Sequence, residues 1–299
     1  MGQATEQKRA GAELPDRVLR LPDRGKLLVC TDVHGNLRDF ESMVARFDEL
    51  DAASEQPFLL FTGDLIHGPN TTNEADWPTY LGSYYRDQSG EVVERFIEMS
   101  AAFPGRVGCL IGNHEHSHVG GPHTPKFWDD ETAYFEQSVG PERAARYNAL
   151  FARLPLIAVS AAGVTVTHAA PNAQIEDISE LQVPYDGYEH LDINAMYSGT
   201  ALARLLWSRG CKTEVAREFL DVISRDGPRQ RVVVFGHDIV AEGYERVGDE
   251  QLQLSTSFGV DDACKFYVEV DLAKRYESAS DFVVGRELRR LYPDASRSS

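Results

Sequence analysis

The chain is punctuated by short, unbroken apolar runs that stop abruptly at polar residues: Leu27-Leu28-Val29-Cys30, Phe58-Leu59-Leu60-Phe61, Val107-Gly108-Cys109-Leu110-Ile111 and Val232-Val233-Val234-Phe235. Runs of this length, bounded by turn residues, predict strands buried on both faces. After the first, Asn36 stands where a helix cap is needed, with Asp39 three residues on, and Leu37, Phe40, Val44 and Phe47 recur at helical spacing. A second helix is predicted over 91–103 from Val93, Phe96 and Ile97, ended by Pro104-Gly105. Residues 112–125 read as a loop, followed by two helices. The second starts at Pro141, carries Tyr147, Leu150, Phe151 and Leu154 on one face, and ends at Pro155. Residues 156–160 and 164–167 flank Ala161-Ala162-Gly163 and predict a hairpin. Helices follow over about 195–226, closed by Gly227-Pro228, and beyond the 232–235 run come strands near 244–247, 252–255 and 266–272. Strands alternating with helices early and hairpin-like strands late predict an α/β (α+β) sandwich, two packed mixed β-sheets flanked by helices.

One domain over residues 25–272 accounts for these elements. Residues 1–24 suggest a tail or strand-like arm, and 273–299 a polar tail. Residues 69–90, with Trp77, Tyr80, Tyr84 and Tyr85, form a long excursion, either a lid or an aromatic helix packed on the domain. At 299 residues and 42% hydrophobic, the chain can bury a sizeable core. Cys30, Cys109, Cys211 and Cys264 are scattered singly, which suggests reduced thiols rather than a disulfide scaffold or a zinc site. Residues 1–24 lack the apolar region of a signal peptide and no apolar run spans a membrane, so a cytoplasmic location is expected. The net charge of −17 argues against nucleic-acid and anionic-membrane partners. It leaves room for a phosphorylated small substrate or peptide if bound metals reverse the potential of one cleft.

The candidate chemistry lies where the apolar runs end. Asp32 with His34, Asp64, Asn113, His168 and His237 each follow such a run within a few residues. Sites in α/β sheets form beyond the carboxyl ends of strands, so these endings are expected to converge. Carboxylates, imidazoles and one amide suit two divalent ions, manganese first, with iron or zinc as alternatives. A bridging aspartate would allow a hydroxide shared by the two ions to attack phosphorus in line.

In residues and order, Asp32-x-His34-Gly35, Gly63-Asp64, Gly112-Asn113-His114-Glu115, His168 and Gly236-His237 resemble the calcineurin-like metallophosphoesterases over residues 26–272. Leu205-Leu206-Trp207-Ser208 and Gly236-His237-Asp238 look most like the phosphoprotein phosphatase branch. The resemblance implies the four-layer metallophosphoesterase fold. One metal would be held by Asp32, His34 and Asp64, the other by Asp64, Asn113, His168 and His237, with His114 as general acid. It also implies hydrolysis of phosphomonoesters, first of all phosphoserine or phosphothreonine in proteins. A dinucleoside polyphosphate hydrolase or small-molecule phosphatase stands next, and a protein that keeps its metals without turnover third. Where the family's Gly-Asp-x-x-Asp-Arg-Gly places a second aspartate and an arginine, this chain has His67 and Gly68. The carboxylate partner of the general acid and one phosphate clamp are therefore missing, and Arg209 is the candidate replacement clamp. Glu115 is expected to lie behind the metal ligands. His114-Glu115-His116-Ser117-His118 also satisfies H-E-x-x-H, the zinc-protease pattern, but Gly120-Gly121-Pro122 interrupts the helix that pattern needs. His116, His118 and His123 read as a solvated loop.

Overall fold

A computed structural model describes residues 14–296. The sequence elements near the chain ends that fall in residues 1–13 and 297–299 lie outside the described residues. In chain order the strands and helices are β1 (Val18–Arg20), β2 (Lys26–Cys30), α1 (Leu37–Ala52), β3 (Pro57–Phe61), α2 (Ser89–Ala102), β4 (Val107–Cys109), α3 (Asn113–His116), α4 (Glu131–Val139) and α5 (Pro141–Phe151). There follow β5 (Ile157–Val159), β6 (Val164–Thr167), α6 (Ile193–Gly199), α7 (Ala201–Trp207), α8 (Thr213–Ile223), β7 (Val232–Phe235), β8 (Tyr244–Val247), β9 (Gln251–Leu254), β10 (Phe266–Asp271) and β11 (Leu288–Arg290).

The strands form two mixed sheets, ordered β1-β5-β6-β7-β9-β8 and β11-β10-β2-β3-β4. In the second, β2, β3 and β4 run parallel and β10 antiparallel. In the first, β6, β7 and β9 run parallel. This is the α/β sandwich of two packed mixed sheets flanked by helices that the sequence suggested.

Side chains alternate between the faces of a strand, and the apolar runs are continuous because both faces are covered. Leu27, Val29, Phe58 and Leu60 point into the space between the sheets, where they meet Val164, Val166, Val232, Val234, Leu252 and Leu254. Leu28, Cys30, Leu59 and Phe61 point the other way, onto the helical layer. There Phe40 of α1 stacks on Phe61 with ring centroids 4.7 Å apart. The α1 cap forms as predicted: the Asn36 side chain accepts from the Asp39 backbone N–H.

Several segments differ from the sequence expectation. The third strand stops at Cys109, because Ile111 leaves the ladder and its N–H donates to Pro155 O. Residues 69–90 form no aromatic α-helix. They make two 3-10 turns, Glu74–Asp76 and Thr79–Leu81, with Leu81, Tyr85 and Trp77 packed on Phe258 and Phe127. Within the expected loop of 112–125, α3 forms one helical turn. His116 and His118 are buried rather than solvated; His123 alone of the three is exposed. Burial follows from the loop folding back on its neighbours. The His116 ring bonds Tyr185 O at 2.9 Å, and His118 lies against Phe135 and Phe151. At the N-terminus β1 pairs parallel with β5, and the buried Arg17 guanidinium donates to Ala152, Leu154 and Val183 carbonyls. Of residues 273–299, expected as a polar tail, the described part contributes edge strand β11 and the fully buried Phe282.

A buried polar knot ties these pieces together. Asp39 is fully buried and accepts from Lys265 Nζ at 2.7 Å, Ser257 Oγ at 2.6 Å, Asn36 Nδ2 at 2.9 Å and Tyr292 Oη at 2.6 Å. It thereby joins the start of α1, the 255–265 loop and the C-terminal segment. Removing one partner of a buried ion pair leaves the other charge uncompensated. Lys265→Met is therefore expected to destabilise the fold by about 3–5 kcal/mol. Urea unfolding checks this, and an unchanged midpoint would refute a structural role for the pair.

Candidate metal centre and catalytic cleft

The residues at the ends of β2, β3, β4, β6 and β7 meet at one edge of the sandwich. The backbone there is held in an uncommon conformation: Asp32, His34, Asp64, His67 and His237 all have φ between 45° and 69°. Such left-handed residues are rare outside glycine and cluster where function requires them. Cross-bonds between the loops fix them. His34 N–H donates to Asp64 O and Gly35 N–H to Leu65 O, each at 2.8 Å. The chain approaches itself so closely that a Cβ on Gly236 would lie 2.0 Å from Asp32 Oδ2, and one on Gly112 2.2 Å from Asp64 Oδ1.

Hydrogen bonds assign the imidazole tautomers. His34 Nδ1–H donates to Ile66 O at 3.0 Å, and His168 Nδ1–H to Thr62 O at 3.0 Å. Each Nε2 is then left with a lone pair. That of His34 lies 3.5 Å and that of His168 3.6 Å from Asp64 Oδ2. His168 Nε2 also faces Asn113 Oδ1 at 2.9 Å and His237 Nδ1 at 3.2 Å. Burial lowers the pKa values of His34, His168 and His237, keeping them neutral and lone-pair donating, and raises those of Asp32 and Asp64. No lysine or arginine forms an ion pair with either carboxylate among the described residues. Acceptors turned toward acceptors in a buried site fit divalent cations, and the mixed oxygen and nitrogen donors suit a transition metal. Two overlapping groups, His34-Asp64-His114 and Asp64-His168-His237, each bring their ligand atoms within 4.8 Å of one another and share Asp64. Asp32 stands beside them, its carboxylate accepting the His237 N–H at 3.0 Å.

His114 Nε2 lies 4.0 Å from Asp64 Oδ2, and its Nδ1 lies 2.8 Å from His67 Nδ1. Glu115 is fully buried and turned away, accepting the N–H groups of Asp64 at 2.8 Å, Leu65 at 2.7 Å and Gly112 at 3.0 Å. It braces the loop that presents Asp64, and it does not line the cleft, where the base of an H-E-x-x-H protease would have to stand. Arg209 stands at the rim with its side chain 73% exposed, paired with Asp238 at 2.5 Å.

These groups open onto a cleft of about 490 Å³ lined by Asp64, His114, His237, Arg209, Lys126 and Phe258. Lys126 was not singled out from the sequence. The residue is exposed, and its ammonium sits 4.2 Å from the Phe258 ring centre. A lone lysine in a Gly/Pro-rich loop next to the histidine cluster was the only trace of it in the sequence. Glu131 was also missed. Its Oε2 lies 3.6 Å from His114 Nδ1 and 3.9 Å from His67 Nδ1, so a carboxylate from α4 stands near the place where the family motif has its second aspartate and this chain has none.

None of the described helices is long and apolar enough to cross a membrane. No curated protein matches the chain significantly. Among solved structures, a protein serine/threonine phosphatase from Saccharomyces cerevisiae with similarity to human phosphatase PP5 aligns with a TM-score of 0.57 and 17% identity, covering 86% of this chain and 77% of that one. A cold-active protein-tyrosine phosphatase of a psychrophilic Shewanella species aligns with a TM-score of 0.51 and 14% identity, covering 87% of this chain and 79% of that one. At these identities the likeness establishes the fold. The calcineurin-like phosphoesterase family model matches residues 25–264, most of the chain, and with it the chain belongs to the calcineurin-like phosphoesterases, hydrolases that act on phosphoesters.

Proposed function

We propose that the protein is a binuclear metal-dependent phosphomonoesterase acting on phosphoserine or phosphothreonine in proteins. The observation that carries the reading is the convergence of buried lone pairs on Asp64. Of the two neighbours aligned above, the yeast serine/threonine phosphatase favours this substrate class, and the Shewanella protein-tyrosine phosphatase favours only the broader class of phosphorylated proteins.

In this reading Asp32, His34 and Asp64 hold one ion, and Asp64, Asn113, His168 and His237 hold the other. Manganese, iron and zinc all suit this donor set. When bound, such ions lower the pKa of water and polarise a phosphoryl oxygen. The protein's own groups do the rest. Thr62 O and Ile66 O fix the tautomers of His168 and His34, so that the lone pairs already face inward before any ion arrives. His114 presents Nε2 to the cleft and gives its proton to the departing alkoxide, which is a poor leaving group without it. Lys126 and Arg209 supply positive charge for the non-bridging phosphate oxygens, taking the place of the arginine absent at Gly68.

Asp64→Asn is expected to lower both the number of bound ions and the turnover of a phosphoserine peptide. Elemental analysis of protein reconstituted with Mn²⁺ reads the first, and two ions still bound per chain would refute the bridging role. Lys126→Ala, which removes a charge-assisted contact, is expected to lower kcat/KM for the same peptide by roughly ten- to a hundredfold. Unaltered kinetics would remove Lys126 from phosphate binding.

A further inference from the structure

Behind His114 runs a chain of buried imidazoles that ends on a carboxylate at the surface. His114 Nδ1 lies 2.8 Å from His67 Nδ1, His67 Nε2 lies 2.9 Å from His118 Nε2, and His118 Nδ1 lies 3.0 Å from Glu136 Oε1. The His118 side chain is fully enclosed, whereas that of Glu136 is 39% exposed. Asn148 Nδ2 donates to the same Glu136 oxygen at 3.0 Å and holds it in place.

We propose that Glu136, His118 and His67 form a positioning relay that fixes the protonation geometry of His114, in place of the carboxylate that the resemblance leads one to expect directly behind it. This rests on the phosphoesterase reading of the cleft.

An ionised carboxylate only accepts, and each neutral imidazole has one donor and one acceptor nitrogen. Glu136 therefore requires the proton of His118 on Nδ1 and leaves a lone pair on Nε2. His67 must then donate from Nε2 and accept at Nδ1. His114 in turn donates from Nδ1. The direction set at the surface reaches the cleft through three rings, and Nε2 becomes the one nitrogen of His114 that exchanges a proton with substrate. In the donating form His114 carries protons on both nitrogens. When the P–O bond to the leaving group breaks, the Nε2–H proton passes to the leaving oxygen, and the neutral ring left behind keeps Nδ1–H, the tautomer the relay already demands. No ring has to turn. Glu131, 3.6 Å from His114 Nδ1, lies beyond hydrogen-bond distance and is itself occupied by Thr124 Oγ1 and Phe127 N–H, so it does not substitute for the relay.

The test compares Glu136→Ala and His118→Leu with the Mn²⁺-loaded wild type on a phosphoserine peptide, whose leaving group needs a proton, and on p-nitrophenyl phosphate, whose leaving group does not. Glu136 is partly exposed, so its variant is expected to fold even if His118→Leu does not. The relay predicts that kcat on the peptide falls by about 10- to 100-fold with KM little changed, less than the full worth of a general acid, while the loss on the aryl ester is several times smaller. It also predicts that in a His67→Asp background, where a carboxylate meets His114 directly, Glu136→Ala has no further effect on peptide turnover. His67 has φ +65°, a conformation that aspartate tolerates. Equal losses on both substrates, or the same Glu136→Ala penalty with Asp at position 67, would overturn the relay and leave the phosphoesterase reading standing. A wild type that hydrolyses neither ester overturns that reading and the relay together.

Discussion

Asp64 lies at the centre of an arrangement that a protein interior resists. Its carboxylate is buried, the Nε2 lone pairs of His34 and His168 face it at 3.5 and 3.6 Å, and Asn113 Oδ1 and His237 Nδ1 crowd the same space. Unpaired polar groups cost free energy in a low-dielectric site, and acceptors facing acceptors cost more. The surrounding structure must hold them by force of connectivity. It does so with loops whose left-handed residues each cost on the order of 1–3 kcal/mol and are over-determined by cross-loop backbone bonds, by the Glu115 brace and by glycines that leave no room for a side chain. The two-sheet core, with its strands covered on both faces, supplies the rigidity that keeps this strain from relaxing. Divalent cations turn the same lone pairs from a liability into a coordination sphere.

Residues 112–118 show how one helical turn distributes work. Successive residues of an α-helix point about 100° apart. Asn113 thus faces the carboxylate cluster, His114 the cleft, Glu115 the backbone of the Asp64 loop, and His116 the Tyr185 carbonyl. His118, just past the helix, turns to His67. In one dimension the same string matches a zinc-protease motif, whose two histidines must share one helical face with a free glutamate between them. Here the helix ends at His116, before the second histidine, and the glutamate is spent on three N–H groups.

This separates what was legible in the sequence from what was not. Uninterrupted apolar runs report strands buried on both faces, and the residue that ends each run sits at the strand's carboxyl end whatever the distant packing. The positions of Asp32, Asp64, Asn113, His168 and His237 therefore followed from local pattern alone. Burial of His116 and His118 did not, because it depends on α4, α5 and residues 185–188 closing over a loop that looks polar when read in isolation. The segment after Leu272 was obscured for a related reason. Its strand is short and lies at a sheet edge, and Tyr292 is tied to the fold through Asp39, more than two hundred residues earlier in the chain. Lys126 and Glu131 reach the cleft through tertiary folding, with no periodicity to announce them.

The exchange at position 67 has consequences that reach the surface. A carboxylate behind a general acid ends the hydrogen-bond chain, since it accepts and needs nothing further. An imidazole in the same place accepts with one nitrogen and must then satisfy the other, which at a buried position means recruiting another acceptor. His118 fills that need and inherits the same obligation, passed on until a group in contact with solvent closes it at Glu136. The backbone at position 67 permits such an exchange, because aspartate, asparagine and histidine are among the side chains that tolerate its left-handed conformation. Replacing a charged terminus by a neutral link thus spreads the task of one residue over three, and couples the cleft to a surface carboxylate on α4.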